Sequence, residues 1–247
     1  MPKKSTVILL ASGAVMAAIA AAVLVLGLGV GFLAGRFSTG IAVYQSSQTE
    51  SAHPGYRRST LIHEDEIYLS DYEEAALQPA MPDPSQVIGR TAFGGARICG
   101  IPGQPATAYI AGDVGSEMPA FAVFRHTNQP PFDWRTATFR EMTFGGMNPQ
   151  AAPRQTTNAA LLAEVVRSLS EGSPTELPGV PFAGVTNFAN LRLASEQLPG
   201  IVFCPVVRQA GGRFYLAESL MMDLAAKEFQ ARWIRVDAPV AEWMKGL

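Results

Sequence analysis

Residues 7–35 read VILLASGAVMAAIAAAVLVLGLGVGFLAG, a stretch without one charged side chain, preceded by Lys3 and Lys4 and closed by Arg36. As a helix rising ~1.5 Å per residue it measures ~43 Å, more than the ~30 Å hydrocarbon core of a bilayer. It predicts a single transmembrane helix acting as an uncleaved signal anchor, with residues 1–6 as a cytoplasmic stub. Lys3, Lys4 and the terminal amine outweigh Arg36 and place the N-terminus in the cytoplasm, an asymmetry that Arg57 and Arg58 weaken. The rival reading is a cleaved signal peptide, whose apolar core spans only ~7–15 residues.

Within that stretch Gly27, Gly31 and Gly35 recur every four residues, and Gly13, Ala17 and Ala21 form a second row. Residues four apart share a helix face, so each row is a smooth surface on which a partner helix can pack. The alternative is an Ala/Gly-rich span that packs against nothing. Residues 29–34 also match GxGxxA, but a dinucleotide site needs a preceding strand and an exposed helix start.

Beyond Arg36, the remaining 16 basic residues face 21 acidic ones. A mildly acidic chain has no electrostatic footprint for nucleic acid or anionic lipid. Arg outnumbers Lys fifteen to four, a composition typical of GC-rich bacteria.

Residues 36–84 read as a tether. Ser, Gln, Thr and Gly dominate 38–59 with no apolar periodicity, which predicts a flexible segment. An acidic, aromatic stretch follows, where Ser70 and Glu73 fit a capping box and predict a short helix over 71–77. Two uses are open to it: a solvated spacer, or a docking segment carrying Ile62, Ile67, Tyr68, Leu69 and Tyr72.

Residues 85–247 form the expected extracytoplasmic domain, of α+β class because strands and helices do not alternate strictly. Strands are predicted over 106–111, 120–125 and 136–144. An amphipathic helix is predicted over 158–171, its stripe being Leu161, Leu162, Val165, Val166 and Leu169, with Gly172 as its stop. Gly211-Gly212 predicts a hairpin between 201–207 and 213–217. A helix over 218–229, a strand over 233–236 and a final turn at 241–244 complete the expectation.

Chemistry is sparse. Cys99 and Cys204 fit one disulfide in an oxidising compartment, or two separate buried thiols. His126 is the one imidazole beyond the tether, and spacing gives it no nucleophile. The run His63-Glu64-Asp65-Glu66 offers cation ligands without preorganised geometry, so no metal or cofactor is expected. Phe132, Trp134, Arg135, Phe139 and Arg140, and separately Trp233 and Trp243, are residue types enriched at protein interfaces; packing in the core is the alternative.

The sequence leans away from an enzyme. It points first to a non-catalytic, single-pass accessory or assembly subunit of a bacterial membrane complex, its periplasmic domain bridging partners through protein–protein interaction. A ligand-sensing domain and a membrane-tethered enzyme of unrecognised type are the alternatives.

Overall fold

The structure, a computed structural model, describes residues 41–53, 56–80, 86–113, 121–145, 152–181, 188–223 and 225–245. By its contacts the chain divides into Met1–Val43 and Tyr44–Leu247, and apart from the first two residues of β1 the fold below is that of the second unit. In chain order the elements are β1 (Ala42–Glu50), β2 (Arg57–His63), β3 (Glu66–Ser70), a 3-10 turn (Tyr72–Glu74), β4 (Leu77–Pro79), β5 (Val87–Thr91), β6 (Arg97–Gly100), β7 (Tyr109–Asp113) and β8 (Phe121–His126). There follow β9 (Phe139–Phe144), β10 (Arg154–Thr156), α1 (Ala159–Glu171), β11 (Pro174–Thr175), β12 (Val180–Pro181), β13 (Phe188–Ser195), β14 (Ile201–Phe203), β15 (Val206–Ala210) and β16 (Arg213–Ala217). Last come β17 (Met221–Asp223), β18 (Glu228–Gln230), β19 (Trp233–Arg235) and α2 (Ala238–Lys245).

The α+β expectation is overturned: the described chain is mostly β. A seven-stranded closed barrel runs β1-β2-β3-β8-β7-β6-β5. A second sheet runs β10-β9-β13-β15-β16-β19-β11, with β14 bridging β13 and β4 beside it. A small sheet, β12-β18-β17, stands apart.

The flexible tether is corrected with it, because Ala42–Glu50, Arg57–His63 and Glu66–Ser70 are three barrel strands. Their pairing is regular, Gln45 opposite Ile62 through Glu50 opposite Arg57, then Ser59 opposite Ser70 through His63 opposite Glu66. The short helix expected at 71–77 is a three-residue 3-10 turn whose capping box joins Asp71 to Glu74.

Alternation explains why β6, β7 and β8 are buried on both faces. Ile98, Ile110 and Phe124 fill the barrel interior, while their neighbours Cys99, Ala111 and Val123 join the large core shared with Met142, Leu191, Leu193 and Leu216 of the second sheet. Gly112 sits inside because a Cβ there would come within 2.8 Å of the Phe124 ring. Helix α1 packs on β9 and against α2, burying Leu162, Val165 and Leu169.

Among the described residues no helix is long and apolar enough to cross a membrane; α1 has 13 residues. The anchor expected over 7–35, with Gly13, Ala17, Ala21, Gly27, Gly31 and Gly35, lies outside the described residues. The single-pass membrane assignment therefore has no helix among the described residues beneath it. The helix expected over 218–229 is also corrected, to the hairpin β17–β18. Asp223 accepts the N–H groups of Ala225 and Ala226 at 3.0 and 2.9 Å, and Lys227 takes a positive φ of 56°, a turn that ends any helix.

Candidate functional site: the mouth of the barrel

The barrel is open at one end. A cleft of about 320 Å³ lies between β1 and the β5–β6 turn and reaches down to Leu61, Ile98 and Phe124. Its rim carries Ser46, Gln48, Ser59 and Thr91, with Asp113 as the one charged side chain of the lining among the described residues. Phe93 stands beside it, 86 % exposed, at the tip of a turn whose Gly94 and Gly95 adopt positive φ of 76° and 63°. Thr91 holds that turn by donating its hydroxyl to Phe93 O at 2.6 Å and accepting from Ala96 N–H at 2.9 Å. The cleft offers hydroxyl and amide groups above an apolar floor, a chemistry of contact and hydrogen bonding. Its volume falls at the low end of ligand pockets, ~300–1,000 Å³.

The opposite end of the barrel is filled. Tyr44 packs on His63 and Tyr68 with ring centroids 5.0 and 6.2 Å away, and Tyr68 meets His126 edge-on at 5.0 Å. Asn128 N–H donates to His126 Nδ1 at 3.1 Å, and the Glu66 carboxylate lies beside Nε2. His126 is buried here, between β3 and β8, and lines none of the clefts described. His63 and Glu66 flank the two-residue turn of β2–β3. Among the described residues no three His, Cys, Asp or Glu side chains converge on a metal site.

Two polar clusters lock the outside of the barrel. In the first, Arg125 donates to Glu74 at 2.5 Å and to Gln129 O at 2.6 Å, with the pair 9 % and 1 % exposed. Glu74 in turn accepts Asp71 N–H at 3.0 Å, and Asp71 accepts from Arg58 at 2.6 Å. Burial pushes the Asp71 carboxyl up, but hydrogen bonds from Ser51, Arg58 and the Tyr72 N–H pull it net below the usual carboxylate range. In the second cluster Glu218 accepts from Trp134 at 2.9 Å, Tyr72 at 3.2 Å and Arg135 at 3.3 Å. Burial, then the charge of Glu218, pushes the Tyr72 hydroxyl to about 12. A cavity of about 130 Å³ adjoins this cluster, smaller than the ~300–1,000 Å³ of typical ligand pockets.

The residues singled out from sequence go elsewhere. Trp134, Phe139 and Trp233 are buried, Trp134 stacking on Phe203 at 5.0 Å and Trp233 on Phe188 at 5.9 Å. Phe132 and Trp243 pack on the edge of the core, and Arg135 covers the Trp134 ring at 4.3 Å. Arg140 is exposed without its aromatic neighbours. The two groups thus form no joint aromatic face. Cys99 and Cys204 are not joined by a disulfide; both are buried, and burial pushes the Cys204 thiol to about 12 against a weak downward pull from Arg192. The barrel mouth was missed because Ser46, Gln48 and Ser59 read as tether, and the one signal for it was the Gly94-Gly95 turn beside Phe93.

No protein-family model, no curated protein and no solved structure matches this chain.

Proposed function

We propose that this chain is a non-catalytic accessory subunit that assembles with a partner protein, and that the mouth of the barrel is where it recognises that partner. The open cleft carries the reading: apolar floor, hydroxyl-rich rim and an exposed Phe93 suit recognition. The setting expected from the sequence, outside the cytoplasm and within a larger complex, belongs to the same proposal. Small-ligand sensing is the second reading, favoured by the volume of the cleft.

The test is purification of the C-terminally tagged chain from its native cells after mild crosslinking, with quantitative mass spectrometry. A partner in fixed stoichiometry is the expected result. A chain that purifies alone overturns the subunit reading, and a co-purifying small molecule would favour sensing.

A further inference from the structure

Strand direction locates the seam at which the closed barrel joins its first and last strands. The six neighbouring pairs from β1 round to β5 are all antiparallel, so in a seven-stranded barrel the closing pair of β5 and β1 runs parallel. Ala92 N–H donates to Tyr44 O at 2.7 Å at the end of this seam. Beyond it the β5 chain turns away, with Thr91 N–H donating to Ala96 O at 2.9 Å, whereas β1 continues through residues 45–50 alongside β2.

The direction of the backbone groups follows. In a strand, the N–H and C=O of one residue point to the same side, and successive residues alternate. Tyr44 O faces β5, so Ser46, Gln48 and Glu50 present their N–H and C=O to the same side, and Gln45, Ser47 and Thr49 serve the ladder with β2. Among the described residues this leaves a strand edge with no neighbour, its groups repeating every ~6.8 Å along the cleft. The side chains along it are polar, and neither Pro nor Lys blunts it, the usual protection of an exposed edge.

We propose, building on the subunit reading, that an extended segment of the partner protein completes this edge by strand addition to β1. The segment pairs with Ser46, Gln48 and Glu50 and inserts one apolar side chain onto Leu61, Ile98 and Phe124, with Phe93 packed beside it. A regular row of backbone donors and acceptors matches another backbone, and this selects a peptide over a small molecule. A second copy of this edge would bring only Gln, Ser, Thr and Glu to an apolar floor, so the strand comes from a different sequence. The occupant is thus an extended peptide carrying one apolar side chain, its rim partners being Ser46, Gln48, Ser59 and Thr91.

The experiment uses the full chain and random twelve-residue peptides displayed on phage. Selected peptides are synthesised and their affinity measured for the wild type, Gln48→Pro, Gln48→Ala and Phe93→Ser. Gln48→Pro removes one outward N–H while sparing the β2 ladder. It is expected to weaken binding by about tenfold or more, with Gln48→Ala within about twofold. Bound peptide is expected to slow amide exchange at Ser46 and Gln48. If Gln48→Pro perturbs folding by circular dichroism, Phe93→Ser carries the comparison, since its side chain is already in solvent. Affinities unchanged by both substitutions, or self-association through residues 45–50, overturn the proposal. Running the same variants through the native purification separates the two failures: a partner held equally by Gln48→Pro sinks strand addition alone, whereas no partner from the wild type sinks the subunit reading.

Discussion

Asp71 shows how one side chain can serve a cap, an ion pair and a pH dependence together. It holds the 3-10 turn by its capping box, anchors Arg58 of β2, and through Glu74 connects to Arg125 of β8. A buried pair of the Arg125–Glu74 kind adds little net stability, yet removing one partner costs ~3–5 kcal/mol because the other charge stays behind. The pH sign follows from the lowered Asp71 value. A carboxyl held below its unfolded value, about 3.9, contributes stability that is complete above that pH. The contribution is lost as pH falls through the folded value. Urea unfolding followed from pH 6 to pH 2 is therefore expected to show wild-type stability declining below about pH 4. Asp71→Asn should be less stable at neutral pH and have a shallower acid slope. Equal slopes for the two proteins would show that Asp71 does not supply this dependence. Capping chemistry of this kind was visible in the sequence, but one residue out of place: Ser70 and Glu73 fit the pattern as well as Asp71 and Glu74 do, and only tertiary partners choose between them.

Among the elements, those specified by near neighbours came through from sequence. Helix α1 begins after Asn158, whose side chain accepts Ala160 N–H at 3.0 Å, and it ends at Gly172, as its apolar stripe and turn residues predict. The β15–β16 hairpin turns on Gly211 and Gly212, with φ of 56° and 73°, the positive values that a two-residue turn matching strand twist requires. A Cβ at Gly212 would meet no atom within 4 Å, so substitution there isolates backbone strain from packing. Gly212→Ala is expected to lower stability by ~1–2 kcal/mol in urea unfolding, and Gly212→Asn by less, because Asn tolerates the left-handed region. A larger effect of Asn than of Ala would contradict that account. The strands β1 and β2 were illegible for the opposite reason. Residues 45–50 form a ribbon that is exposed along its whole length, so neither face carries the apolar alternation by which a strand is recognised.

At the scale of the whole molecule, the barrel depends on a pairing between distant parts of the chain, Tyr68 with His126 and Leu69 with Arg125. A fragment of residues 85–247, the domain expected from sequence, lacks β1 to β4 and would open the barrel on Ile98, Ile110 and Phe124. Size-exclusion chromatography and circular dichroism should find it aggregated or unfolded, while residues 41–247 stay monomeric and cooperative; a stable, cooperative 85–247 fragment would mean that the barrel strands β1 to β3 are dispensable.

By itself, the amino-acid order determined the elements whose cause lies within a few residues: the caps and stripe of α1, the Gly-Gly hairpin, the acidic balance and the uncharged stretch over 7–35. Tertiary structure alone decided that β1, β2 and β3 are barrel wall, that Trp134, Phe139 and Trp233 are core, and that a cleft opens beside β1. Turn and helix chemistry acts over one to four neighbours, whereas strand partners and burial are settled by surfaces that meet only when distant segments fold together.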